Sequence, residues 1–175
     1  MAYDPSSTAP ASQPDAAVRK TERLAALHDY QLLDTPPEPA LDELIRLVAR
    51  MFEVPVALVT LLDEQRQWFK SRVGVEATET PREISFCGHA ILKNELFVVE
   101  DASRDPRFAD NPLVTGDPHI RFYAGAPLSA PGGHRIGTLC VIDTVPRTLG
   151  TVERSILDAL RRLANETLAG QEDEE

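Results

Sequence analysis

Residues 54–74 have the sequence VPVALVTLLDEQRQWFKSRVG, which contains the clearest structural signal in the chain. Its first part, 54–62, is rich in β-branched residues and too short for a typical helix, which indicates a strand covered on both faces. A polar turn follows at 63–65, and residues 67–71 are typical of an antiparallel return strand. The stretch is therefore predicted to form a β-hairpin.

Helices are predicted on the N-terminal side of this hairpin. A first helix begins near Ala17, and the sequence Asp34-Thr35-Pro36-Pro37 ends it. A second helix carries one apolar stripe at helical spacing. Its members are Leu41, Leu44, Ile45, Val48, Met51 and Phe52.

More strands and one more helix are predicted after the hairpin. Ser85 suits the N-cap of a short helix over 87–93, and residues 96–100 form a short strand. Segments 122–128 and 135–142 form two strands, joined by the turn sequence Pro131-Gly132-Gly133. The last helix repeats apolar residues at coiled-coil-like spacing. These are Val152, Ile156, Leu160, Leu163 and Thr167.

This order of elements predicts an α+β fold. Strands joined by short turns favour an antiparallel sheet, and helices at both ends of the chain must cover one of its faces. We expect three segments along the chain: a disordered arm over 1–17, one folded domain over 18–169, and an acidic disordered tail over 170–175.

Composition and charge exclude several classes of function. The 175 residues carry a formal net charge of −10, which disfavours nucleic-acid binding because such a surface repels phosphate backbones. The longest apolar run is about half the length of a membrane-spanning helix, so we expect no membrane segment. No secretory signal is visible and only two cysteines occur, so a cytoplasmic location is expected.

Several runs of the sequence resemble bacterial GAF domains. Besides 54–74, the runs are ISFCGHAI (84–91), VVEDASRDPRF (98–108), FYAGAPL (122–128) and RIGTLCVIDTVPR (135–147). The resemblance covers about 21–168. It implies an antiparallel sheet of five or six strands, with the N- and C-terminal helices on one face and pocket-forming loops and short helices on the other.

The resemblance also implies a ligand pocket, which we expect to lie between the sheet and the segments 86–90 and 101–123. Each side chain also has a structural interpretation, because aromatic residues in strands usually belong to the core and charged loops are usually solvated. The residues expected to line the pocket are Trp68, Phe86, Cys87, His89, Asp101, Arg107, Phe122 and Tyr123.

Catalytic and metal-dependent functions are not expected. Cys87 and His89 offer two metal ligands, whereas zinc sites normally use three or four. One GAF branch reduces free methionine sulfoxide with cysteines and has a cysteine at a position resembling Cys87. Its attacking cysteine lies in the segment matching 119–124, which contains no thiol here. We therefore expect no catalytic residues, no metal and no cofactor, haem included.

Three functions stay open at this stage. The first is a small-molecule sensor for signal transduction that acts without its own output domain, on a histidine kinase or diguanylate cyclase in trans. The second is an interaction module with a vestigial pocket. The third, least expected, is the sulfoxide reductase. The seam on the last helix predicts a homodimer through the terminal helices.

Overall fold

The computed structural model describes residues 16–173, which contain five helices and six strands. The helices are α1 (Ala16–Asp29), α2 (Pro39–Phe52), α3 (Cys87–Ala90), α4 (Pro112–Thr115) and α5 (Thr151–Asp173). The strands are β1 (Val56–Leu62), β2 (Arg66–Val73), β3 (Glu79–Pro81), β4 (Phe97–Val99), β5 (Phe122–Ser129) and β6 (Arg135–Asp143). Two 3₁₀ turns span Arg82–Ile84 and Ala102–Arg104.

The six strands form one antiparallel sheet in the order β3-β2-β1-β6-β5-β4. This confirms the predicted α+β fold and its hairpins. β1 and β6 are the central pair, and every residue of β1 is buried, as its apolar sequence predicts. β3 is an addition to the predicted strands, because the polar sequence at 79–81 shows no strand pattern of its own.

The long helices α2 and α5 cover one face of the sheet, as predicted. Their buried residues include Leu41, Ile45 and Leu157, which are fully buried. The apolar spacing does not identify every inward position correctly. In α2, the apolar stripe predicts that Met51 is buried, but its side chain is 49% exposed. In α5, the spacing predicts that Leu160 lies in an intermolecular seam, but it is only 9% exposed and belongs to the core.

The helix α1 packs at the end of the sheet where β1 stops. Its Leu27 and the following residue, Tyr30, join the same core, and the Arg23 guanidinium donates a hydrogen bond of 2.6 Å to the carbonyl oxygen of Leu62. Helical backbone begins at Ala16, so the last two positions of the arm predicted over 1–17 are helical. The rest of that predicted arm, 1–15, lies outside the described residues. At the other end, α5 continues to Asp173, into the predicted acidic tail.

The opposite face of the sheet is covered by α3, α4 and the two 3₁₀ turns, which confirms the predicted short helices and loops there. They enclose a second apolar core that includes Phe86, Phe108 and Val114 above Leu58 and Tyr123. Within residues 16–173, no helix combines the length and the apolar character needed to cross a membrane.

Candidate ligand site on the sheet

The floor of the candidate site is a group of buried polar side chains in the middle of the sheet. Thr60 on β1 and Thr138 on β6 are paired, and their hydroxyl oxygens lie 2.9 Å apart. The Thr60 hydroxyl also accepts a hydrogen bond of 3.1 Å from the backbone N–H of Thr138. Because residues two apart in a strand share a face, Cys140 lies next to Thr138 on this side. Burial raises the pKa of the Cys140 thiol to about 12.

The helix α3 is fastened to this floor by its first residue. The Cys87 sulfur lies 3.1 Å from the Thr60 hydroxyl, and burial raises the pKa of the Cys87 thiol above its usual range. Just before α3, the Ser85 hydroxyl accepts a hydrogen bond of 3.3 Å from the backbone N–H of Gly88, but the N-cap position is Phe86 rather than the predicted Ser85, and the helix ends at Ala90, three residues earlier than predicted. The contact between Cys87 and Thr60 therefore holds the start of this helix close to the sheet.

Aromatic rings fill the space between α3 and the sheet. The rings of Phe86 and Phe108 stack with centroids 4.1 Å apart and planes inclined by 6°. Tyr123 lies 5.1 Å from Phe86, and His89 meets Phe108 edge-on at 4.9 Å. Phe97 completes the cluster, with its centroid 6.1 Å from both Phe108 and Tyr123. In this structure the cluster occupies the place where the resemblance implied a pocket.

A charged rim borders the aromatic cluster. The Arg107 guanidinium lies 4.9 Å from the centre of the Phe97 ring, a cation–π contact, and donates two hydrogen bonds of 3.0 and 2.7 Å to Asp105. These hydrogen bonds hold the pKa of Asp105 below its usual value. Burial, together with the charge of Arg107, lowers the pKa of His89, so its imidazole is favoured in the neutral form.

The Tyr123 hydroxyl is buried and makes no hydrogen bond of normal length and angle, although the Thr138 and Cys140 side chains lie near it. Desolvation raises the pKa of Tyr123 well above its usual value. The hydroxyl lies over Gly125, where a Cβ atom would stand only 2.5 Å from the Tyr123 oxygen. Glycine at this position therefore leaves room for the ring to lie across the sheet. A buried hydroxyl without a well-formed hydrogen bond is unfavourable, and it is a donor that a ligand within the site can use.

The structure brings five of the eight predicted site residues together: Phe86, Cys87, His89, Arg107 and Tyr123. Their binding of a ligand stays a prediction.

The structure does not bring the other three to this cluster. Trp68 and Phe122 belong to the core under the long helices, on the opposite face of the sheet. For Phe122 the reason is strand alternation, because it directly precedes Tyr123 in β5. Asp101 instead caps the turn Ala102–Arg104, accepting hydrogen bonds from the backbone and hydroxyl of Ser103.

Six residues of the site were not among those predicted: Thr60, Phe97, Asp105, Phe108, Thr138 and Cys140. The threonines carry a usable signal, because each is a polar residue inside an apolar run of its strand. Phe108 and Phe97 carry none, since one lies in a loop and the other in a three-residue edge strand. Among the residues that the structure describes, no group of three His, Cys, Asp or Glu side chains is arranged to hold a metal ion.

Comparisons with known proteins agree with this architecture. The chain is 46% identical over 125 residues to a cyclic di-GMP phosphodiesterase of Pseudomonas aeruginosa, and the match covers 71% of this chain but only 21% of that protein. The chain thus spans about a fifth of the length of that relative.

Two solved structures share the fold at low sequence identity. The GAF domain of a phosphoenolpyruvate-protein phosphotransferase from Acinetobacter superposes with a TM-score of 0.61 at 21% identity, covering 85% of this chain and 94% of that one. A free methionine-R-sulfoxide reductase from Neisseria meningitidis gives a TM-score of 0.62 at 17% identity, covering 86% and 90%. At such identities the likeness shows the fold alone.

The family model of the GAF domain matches residues 36–168, which include the whole sheet, α2 and most of α5. The chain therefore belongs to the GAF domain family.

Proposed function

We propose that this chain is a regulatory GAF domain that controls an enzyme of cyclic di-GMP metabolism. The observation that carries the proposal is its 46% identity to a segment of a cyclic di-GMP phosphodiesterase. That segment makes up about a fifth of the relative, so a catalytic part can lie outside it. The enzyme that it controls is a phosphodiesterase or a diguanylate cyclase.

The signal in this proposal is a small molecule that opens the aromatic cluster. The cluster offers flat rings for stacking, the Arg107 cation at the rim and the unused Tyr123 donor inside. A planar molecule with a hydrogen-bond acceptor matches this set. Because the rings fill the site in the closed state, the ligand binds only an open state, and this difference in affinity shifts the population towards it.

The domain is non-catalytic in this proposal. The two thiols, Cys87 and Cys140, are fully buried and have raised pKa values, so both are held as neutral thiols rather than reactive thiolates. The segment 119–124, where the sulfoxide reductases resembling this chain have their attacking cysteine, contains no thiol. These features argue against cysteine-based reduction.

A domain exchange tests the regulatory role. This chain replaces the matched segment in the Pseudomonas aeruginosa phosphodiesterase, and hydrolysis of cyclic di-GMP is measured. We expect the chimera to hydrolyse cyclic di-GMP, and Phe108→Ala or Arg107→Gln to change the rate at least several-fold. Arg104→Gln, an exposed arginine outside the cluster, is the matched control and should leave the rate unchanged. Identical rates of hydrolysis for the unsubstituted chimera and its three variants would refute control through this site.

A second function is an interaction module without a ligand. The specific observation in its favour is that Phe86, Phe108 and Tyr123 fill the site in this structure. Val152 and Leu163 on α5 are 71% and 47% exposed and offer an apolar surface for a homodimer or a partner helix. A native mass spectrum distinguishes the two functions. A retained small molecule adds mass beyond a whole multiple of the chain, whereas an interaction module gives a whole multiple.

A further inference from the structure

A basic cleft lies between α1 and α3, away from the aromatic cluster. Its volume is about 390 Å³, within the range of small-molecule sites. Eight residues line it, of which five are basic and none is acidic. The basic residues are Arg19, Lys20, Arg23, Arg82 and Arg135. Five of the eighteen lysines and arginines of an acidic protein therefore meet in one cleft.

The key residue of this cleft is Arg23. Arg23 is only 8% exposed. One of its guanidinium nitrogens, Nη1, donates a hydrogen bond to the Leu62 carbonyl oxygen. The other nitrogen, Nη2, is buried without a hydrogen-bond partner. Burial is the larger cause and the positive charge of Arg82 the smaller cause of a lowered pKa of Arg23, about 10. At neutral pH the Arg23 guanidinium is therefore still charged. A buried charged donor without a partner is costly unless an anion compensates it.

Neighbouring carboxylates do not neutralise this charge fully. Asp63 is the acidic group that acts on Arg23, but its carboxylate already contacts His28 and Arg66. Glu64 and Glu83 line an adjoining cleft, which shares Lys20 and Arg82 with the basic one. The basic cleft therefore has free capacity for an anion.

One wall of the cleft is rigid and partly apolar. Arg135 donates hydrogen bonds to the carbonyl oxygens of Ile91 and Leu92 and to the Asn94 side chain, so it fixes the segment that follows α3. Leu92 lines the cleft with an exposed side chain. The cleft thus combines cationic donors with an apolar surface for the uncharged part of a ligand.

We infer that this cleft binds a small organic phosphate, with the phosphate held by Lys20, Arg23 and Arg82 and the less polar part resting on Leu92. Guanidinium groups suit this role because they present several N–H donors in a fixed plane. Gly88 of α3 also lines the cleft, whereas the preceding residue, Cys87, contacts the floor of the aromatic site. Occupancy of the cleft would therefore act directly on the helix that covers the proposed sensory site.

Calorimetric titration of the full chain with inorganic pyrophosphate, at low ionic strength, tests the inference. We expect the wild-type chain to bind, and the double variant Lys20→Gln/Arg82→Gln to bind at least about tenfold more weakly, since it loses two charge-assisted contacts. The variant Arg104→Gln removes an exposed charge elsewhere and should bind as the wild type does. Arg23→Lys keeps the charge but removes the unpartnered nitrogen, and it should also weaken binding if circular dichroism shows a folded chain.

Two other ligands separate the proposal from its competitors. Vesicles of phosphatidylcholine containing phosphatidylglycerol test a lipid headgroup, and a polyglutamate peptide tests an acidic protein segment. Binding of either one without binding of pyrophosphate would overturn the inference. So would an absence of pyrophosphate binding, or a loss of binding in Arg104→Gln as large as in the double variant. Binding of pyrophosphate that depends on Lys20 and Arg82 supports it.

Discussion

The Cys87 sulfur lies 3.1 Å from the Thr60 hydroxyl, and both side chains are fully buried. This contact joins the short helix above the sheet to the central strand below it. The Thr60 hydroxyl also contacts the hydroxyl and the backbone N–H of Thr138, so a single oxygen connects α3, β1 and β6. The position of α3 above the sheet thus depends on one hydroxyl group, that of Thr60.

Replacing that hydroxyl should destabilise the fold. Thr60→Val keeps the shape of the side chain but leaves the Thr138 groups and the Cys87 thiol without their partner. We expect the free energy of unfolding to fall by about 1–3 kcal/mol, the usual cost of a buried unsatisfied donor. Urea denaturation followed by circular dichroism measures it. Thr144→Val, at an exposed position, is the control, and an equal effect in both variants would contradict the role of Thr60.

The buried thiols should make the protein sensitive to alkali. Burial raises the pKa of Cys140 to about 12, compared with roughly 8.5 in an unfolded chain. A raised folded-state pKa gives stability that is fully present below about pH 8.5 and is lost as the pH rises towards 12. We expect this group alone to cost on the order of 1–2 kcal/mol at pH 10 relative to pH 7.

The variant Cys140→Ala isolates that contribution. Its free energy of unfolding should decline less steeply between pH 8 and pH 10 than that of the wild type, measured by urea denaturation at each pH. Cys87 and Tyr123 also have raised pKa values and contribute to the decline in both proteins, so the difference between the slopes is the relevant quantity. Parallel slopes would show that Cys140 ionises normally in the folded chain.

The poorly hydrogen-bonded hydroxyl of Tyr123 predicts a stabilising substitution. Tyr123→Phe removes a buried donor that makes no well-formed hydrogen bond while keeping the ring that packs against Phe86. We expect the ligand-free protein to become more stable by about 1 kcal/mol, observed as a higher melting temperature. Tyr30→Phe, at a tyrosine in the core of the other face, is the matched comparison and should not stabilise. A destabilised Tyr123→Phe protein would mean that the hydroxyl has a partner.

The fold was largely predictable because its signals are local. The apolar run at 54–62, the turn at 131–133 and the stripe of α2 each determine an element through its own residues. β3 could not be found this way, because it is polar and exists only through its pairing with β2. Pairing of that kind depends on the neighbouring strand, which no pattern within three residues reveals.

The site was less predictable because it depends on which face each side chain occupies. Phe122 and Tyr123 are adjacent in β5, so strand geometry requires that only one of them faces the site, although the sequence does not say which. An irregularity in the pairing of β1 with β2 directs both Lys70 and Ser71 towards the α2 side, where they bond Thr35 and Asp42. Such a bulge breaks the alternation on which a prediction from sequence relies.

The exposed apolar residues of α5 predict how the chain associates. If a homodimer forms through this helix, Leu163→Glu should convert it to a monomer, because a charge at an apolar interface is unfavourable. Light scattering coupled to size-exclusion chromatography measures the mass of the assembly, which is 19.3 kDa for the monomer. Leu160→Glu is not a substitute, since Leu160 packs in the core and a buried carboxylate there should unfold the domain.

Leu92→Glu is the control for this experiment. It makes the same substitution at an exposed leucine on the other side of the sheet, so it should leave the mass of the assembly unchanged. Association through α5 is refuted if the wild type is already a monomer at the protein concentration of the light-scattering measurement. It is also refuted if Leu163→Glu keeps the mass of the wild-type assembly. A monomeric Leu163→Glu protein with the wild-type melting temperature would locate the interface on this helix, because loss of folding would not then explain the change.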